Sequence, residues 1–231
     1  MIVILNILNQ FYIELNQNEV SFSYIFVLMI IARLDIKREL ILKASLDLIY
    51  SLGLQGASIS KIASHSNIAV GTIYYYFESK NKLILELSKY CRSKANAFIL
   101  LKTDLEMEVR EQIYALSNIL IDFYITHAEI FSFAGQFYSS PYYIKMMEQN
   151  CTDTYGMDLI KNIFDKGVKK KLIREIEFTT FMYFFMGSIF SYVKINITNL
   201  AYIDKTNRND LITMIWDGIK STKCIKETSL N

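Results

Sequence analysis

The chain has 231 residues, of which 52% are hydrophobic and 21% charged, with eight glycines and one proline. It is too apolar to be disordered, long enough to bury a sizeable core in one or two domains, and too poor in Gly and Pro for many short strands joined by tight turns. Three scattered cysteines and two histidines argue against a disulfide framework, a zinc site or His-rich catalysis, and suit a reducing cytoplasm.

The formal net charge of +2 is unevenly spread. Residues 1–32 carry Glu14 and Glu19 and no Lys or Arg. Residues 33–103 carry eleven basic and five acidic side chains, and residues 104–231 carry fourteen basic and sixteen acidic. A basic block on a near-neutral body points to a polyanionic partner. Long uncharged apolar runs include Met1–Ile13, Val20–Ala32 and Phe178–Val193. Each falls short of the ~20 apolar residues a spanning helix needs, so no stable membrane insertion is expected.

Residues 1–34 stand apart in composition as an N-terminal extension. Met29 opens a run, Met-Ile-Ile-Ala-Arg-Leu-Asp-Ile, that looks like the start of a helical protein. The expectation is a native start at Met29, with residues 1–28 not translated. The alternative is an N-terminal helix packed on the body. From Ile36 the spacing of Leu40, Ile41, Ala44, Leu48 and Ile49 predicts a helix closed near Gly53. Ser58 predicts an N-cap for a short helix through His65, Asn67 a turn, and residues 70–76 a second short helix. Ser79 predicts the cap of a long helix towards residue 102. Further helices are expected at about 105–126, 128–139, 142–167, 177–196 and 209–222, with a helix end at Gly167 and Lys169–Lys171. No strand is predicted.

Two short helices on a tight turn inside the basic block describe a helix-turn-helix. Three features sharpen it. Gly71 lies inside the second short helix, where Gly costs ~1 kcal/mol relative to Ala. Close approach to another surface would explain it, as would packing against a neighbouring helix. Tyr74, Tyr75, Tyr76 and Phe77 are consecutive aromatics about 100° apart on a helix, so they cannot share one core face, and at least one tyrosine must stand outside. Lys80 and Lys82 occupy the first turn after Ser79, against the helix dipole. A bound phosphate would relieve that conflict, unless Glu78 and Glu86 simply offset two solvated lysines.

These residues carry a resemblance. Ser58-Ile59-Ser60-Lys61-Ile62-Ala63, then Ile68, then Gly71-Thr72-Ile73-Tyr74-Tyr75-Tyr76-Phe77-Glu78-Ser79-Lys80 and Leu83 resemble the DNA-binding domain of the TetR/AcrR family of bacterial transcriptional regulators. The resemblance spans about residues 35–95. It implies an all-α homodimer, with a three-helix DNA-binding domain followed by a helical effector-binding and dimerisation bundle over residues 96–231. It also implies that Ser58 and Ser60 lie near phosphates, that Ala69, Val70, Gly71 and Thr72 open the recognition helix, that Tyr74, Tyr75 and Tyr76 contact backbone or base edges, and that Lys80 meets a phosphate. The sequence departs from the family pattern at Ser66 and Asn67, where Ala-Gly is usual. It departs again at Ala69, which replaces a polar cap. The recognition helix offers no Arg, Gln or Asn, so thymine-methyl contacts and DNA shape carry a larger share of readout.

In the body, Phe131, Phe133, Phe137, Tyr138, Tyr142 and Tyr143 cluster around Pro141, with His127 upstream. They could line a pocket for an apolar or aromatic effector, or serve as core. The 177–196 segment has Phe181, Phe185 and Ile189 on one face and Phe184, Gly187, Ser188 and Ser191 on another, so it needs two covers. Together with Ile212, Ile215, Trp216 and Ile219, it is expected to form a four-helix dimer interface. The leading expectation is a cytoplasmic homodimeric repressor that binds a palindromic operator and is released by a small molecule. A membrane-surface protein anchored by residues 1–32 is the second reading. An enzyme is the third, but no Gly-rich phosphate loop, nucleophile elbow or paired His motif supports it, and no metal or cofactor is expected.

Overall fold

A computed structural model describes residues 22–104, 106–148, 157–198 and 205–222. Among them the chain forms ten helices and one isolated β-bridge, Ile173 to Lys220. The first, α1 (Phe22–Gly56), opens well before Ile36 and takes Met29 into its course, while residues 1–21 lie outside the described residues. Ile41, Leu42, Leu46 and Ile49 form its buried stripe. Gly53, at φ 74° and ψ 165°, breaks the helix in a region that side chains with a Cβ rarely adopt.

Local chemistry then sets three helix ends in turn. The Ser58 hydroxyl accepts from the Lys61 N–H at 3.3 Å and opens α2 (Ile59–Ser66). Asn67 stops it in the left-handed region, at φ 53° and ψ 40°. Ala69 opens α3 (Val70–Phe77) without a side-chain cap. The Ser79 hydroxyl accepts from the Lys82 N–H at 3.2 Å and opens α4 (Lys80–Lys102). Ile62, Ala63, Ile73, Phe77, Leu83 and Leu87 close the small core of this head. On the outer side, Arg38 pairs with Glu86 and lies 5.6 Å from the Phe77 ring centre, tying α1 to α4.

The body comprises α5 (Val109–Thr126), α6 (Ala128–Tyr138), α7 (Pro141–Glu148), α8 (Asp158–Lys169), α9 (Phe178–Thr198) and α10 (Lys205–Ile219). The single helix expected over 142–167 is instead α7 and α8, with residues 149–156 outside the described residues. Pro141 fits the first position of α7, where the missing N–H costs nothing. Gly167 does not end α8. A Cβ there would stand 2.5 Å from Ile173 Cδ1 and 3.0 Å from Val109, so it permits close packing, and the turn comes at Lys171, at φ 57°. Helix α5 is the axis of the bundle, packed by α4, α6, α8, α9 and α10. No helix among the described residues is long and apolar enough to cross a membrane.

Candidate nucleic-acid interface and effector cavity

The head leaves one face of α2 and α3 uncovered. Ser58, Ser60, Ala69, Val70 and Gly71 are exposed, Thr72 is half-buried, and Ile73 and Phe77 point into the core. The aromatic run divides as helical geometry requires. Tyr75 is 76% exposed and Tyr74 47%, while Tyr76 packs on the core with its ring 5.4 Å from that of Tyr75. Among the described residues a Cβ on Gly71 would meet nothing within 4 Å. Packing against a neighbouring helix among them therefore does not explain that glycine.

Lys80 is placed differently from a free phosphate-seeking lysine. Its ammonium donates to the Leu54 carbonyl at 3.1 Å, and partial burial pushes its pKa below the ordinary lysine range. An ammonium has three donors, so that bond leaves capacity for an anion. Lys82 is exposed on the same first turn.

A cavity of about 300 Å³ lies in the body between α4, α5, α6, α7 and α9. Phe133, Phe137, Tyr138 and Tyr143 line it. Phe131 and Tyr142 do not. Phe131 turns away to pack against Tyr124 and Phe190, at 5.8 and 5.1 Å between ring centres. Tyr142 borders a smaller recess with Ser79, Lys82 and Lys145. Sequence reasoning missed the α4 wall, Ser88, Cys91, Arg92 and Ala95, because that stretch looks like one side of an ordinary long helix. Burial pushes the Cys91 thiol up to about 12 and raises the Tyr124 and Tyr138 phenols, so all three are neutral at pH 7. Arg92 is the one charged side chain among the described lining residues.

The expected subunit-contact residues also divide. Phe184, Gly187 and Ser191 are exposed and Ser188 half-exposed. Ile212, Ile215, Trp216 and Ile219 are not on the surface. They are buried within the subunit, where α10 packs on α5 and α9. The apolar side chain that α10 does expose is Met214, at 68%.

Comparison with known proteins agrees with this layout. Residues 41–87 match the family model described as bacterial regulatory proteins, tetR family. Over 48 residues the chain is 50% identical to the uncharacterized HTH-type transcriptional regulator YvdT of Bacillus subtilis, a match covering 21% of this chain and 25% of that protein. It is 25% identical over 195 residues to the HTH-type transcriptional repressor NicS of Pseudomonas putida, covering 79% of this chain and 90% of that one. The fold is that of a TetR family transcription regulator from Marinobacter aquaeolei, with a TM-score of 0.72 at 22% identity over 82% of this chain and 98% of that one. It is also that of FadR from Bacillus subtilis, solved in complex with stearoyl-CoA, with a TM-score of 0.66 at 18% identity over 78% and 98% of the two chains. The capped helix-turn-helix, the all-helical body behind it and these likenesses lead to one conclusion: residues 41–87 carry the DNA-binding segment of the tetR family of bacterial regulatory proteins, the chain shares the fold of TetR family regulators, and it is a DNA-binding transcriptional regulator.

Proposed function

We propose that this protein is a cytoplasmic homodimeric repressor that binds a palindromic operator and is released when a small apolar or aromatic molecule fills its body cavity. In this reading residues 35–95 are the DNA-binding head and residues 96–231 the effector and dimerisation domain. The observation that carries it is Gly71, a helix-weakening residue in open space beside the exposed Tyr74 and Tyr75. A duplex backbone or groove wall in contact with α3 accounts for all three. Ser58, Ser60, Ala69, Val70, Thr72, Tyr76 and Lys80 complete the proposed DNA face, held by phosphate contacts and by apolar contact with thymine methyls.

Repression is supported by likeness to the NicS repressor. The effector reading is supported by the mostly apolar lining of the cavity, whose volume lies at the low end of the ~300–1,000 Å³ typical of ligand pockets. FadR of Bacillus subtilis was solved in complex with stearoyl-CoA; a cavity of about 300 Å³ favours a ligand smaller than that. The dimer face proposed is Tyr183, Phe184, Gly187, Ser191 and Ile195 on α9 with Met214 on α10, all exposed in the single subunit.

Gly71→Leu tests the DNA face. The side chain enters open space in the free protein, so thermal stability should hold or rise. Affinity for DNA selected by the wild-type protein from a random pool should fall by about 30-fold or more, about 2 kcal/mol, in a gel-shift titration. Unchanged affinity would remove α3 from the interface.

A further inference from the structure

The break in α1 at Gly53 is a joint gripped from two sides. The Leu54 N–H donates to Gln136 Oε1 on α6 at 2.7 Å. The Leu54 carbonyl accepts from Lys80 Nζ at the start of α4 at 3.1 Å. Leu54 itself is buried, and Ala57 and the Ser58 cap of α2 follow within four residues. One residue of backbone thus meets the end of α1, the start of α4 and a body helix, immediately before the DNA-binding motif.

Gln136 is set for this bond. Its amide nitrogen donates to the Ser132 hydroxyl one turn earlier at 3.3 Å, which aims the carbonyl oxygen at Leu54. A Cβ on Gly53 would stand 3.5 Å from that oxygen, so α6 lies close against the joint. The other face of the same short helix lines the cavity with Ile130, Phe133, Ala134 and Phe137. Gln136 is next in sequence to the cavity-lining Phe137 and ~100° round the helix from it. The alternative path runs along α4 from Ser88, eight residues and ~12 Å from Lys80.

We propose that Gln136 is the positioning residue through which occupancy of the cavity sets the orientation of the DNA-binding head. With the bond formed, Leu54 is fixed to α6, and α2 and α3 hold one attitude on the body. A dimer bound to two half-sites needs both heads in register, so fixing each head lowers the cost of the second contact. A group that pushes Phe133 and Phe137 outward turns α6 and draws Gln136 off Leu54. The inference rests on the effector reading of the cavity.

The test needs no identified effector, because a side chain can fill the cavity. Ala134→Phe adds a ring to the cavity wall. Gln136→Leu keeps the shape and removes the acceptor, and Gln136→Glu keeps an acceptor. The probe is DNA selected from a random pool by the wild-type protein, offered as the full two-half-site duplex and as a single half-site. Gln136→Leu should bind the full site about tenfold more weakly and the single half-site like wild type, with faster hydrogen exchange at the Leu54 amide. Gln136→Glu should remain within about twofold of wild type. Ala134→Phe should weaken full-site binding at least fivefold alone, and less than twofold when added to Gln136→Leu. An equal loss from Ala134→Phe in both backgrounds would overturn Gln136 as the route while leaving the effector reading intact. A folded Ala134→Phe that binds DNA like wild type would overturn the effector reading and this inference with it. Should Ala134→Phe fail to fold by circular dichroism, Ala134→Met replaces it with the same criteria.

Discussion

Head and body place their working residues on opposite sides of the surface. In the head, the residues at the centre of the proposed DNA face have least to do inside the subunit: Gly71 in open space, and Tyr74 and Tyr75 exposed, with Tyr76 and Lys80 at its edge also serving the interior. In the body, Phe133 and Phe137 are buried and stacked on each other, and the cavity is what that packing leaves. The lesson is one of separability. A change on the head's face should alter binding with little effect on folding, whereas a change in the body should alter folding, association and response together.

The largest effect expected from this contrast is on body stability. Phe185 is fully buried in α9, stacked 5.2 Å from Phe181. Phe185→Ala should cost ~3–5 kcal/mol in denaturant unfolding. A loss below about 1 kcal/mol would mean that the α9 core collapses around the gap and that the body is less tightly specified than the head.

Next in size is association. Ser191 is exposed in the subunit and lies on the proposed dimer face. Ser191→Arg would bury an unpaired charge there, at a cost of several kcal/mol, enough to dissociate a dimer at micromolar concentration. Light scattering should report a monomer with helical circular dichroism retained, and full-site DNA binding should be lost. A mutant that stays dimeric would move the interface elsewhere.

The smallest effect belongs to the head. Lys80→Ala removes both the bond to Leu54 and a cation at the start of α4. Stability should fall by ~1 kcal/mol, and the slope of log affinity against log salt should shrink by about one per subunit. An unchanged slope would make Lys80 a purely internal tether.

Legibility in the sequence follows the same divide. Ser58, Asn67 and Ser79 could be read because each helix end is decided by one residue's own hydrogen bond or backbone region. The split of Tyr74, Tyr75 and Tyr76 followed from a 100° turn per residue. Which aromatics line the cavity did not follow: Phe131 and Phe133 are two positions apart on one helix, and only the placement of α5 and α9 decides that Phe131 packs on Tyr124 and Phe190. Ile212, Ile215, Trp216 and Ile219 show the same limit. Helical period marks them as one apolar stripe but does not say what covers it, and the cover is the subunit's own core. The Gln136 to Leu54 bond joins positions 82 residues apart and has no sequence signature.

The central claim is that two copies of this head read one duplex. Selection of DNA from a random pool by the purified protein, followed by sequencing and footprinting of the enriched fragments, tests it most directly. The account predicts a palindrome whose half-sites lie about one helical turn or a small multiple of it apart, ~34–36 Å per turn, with protection on both halves. Failure to enrich any sequence, or enrichment of one undivided half-site bound by a single subunit, would contradict it.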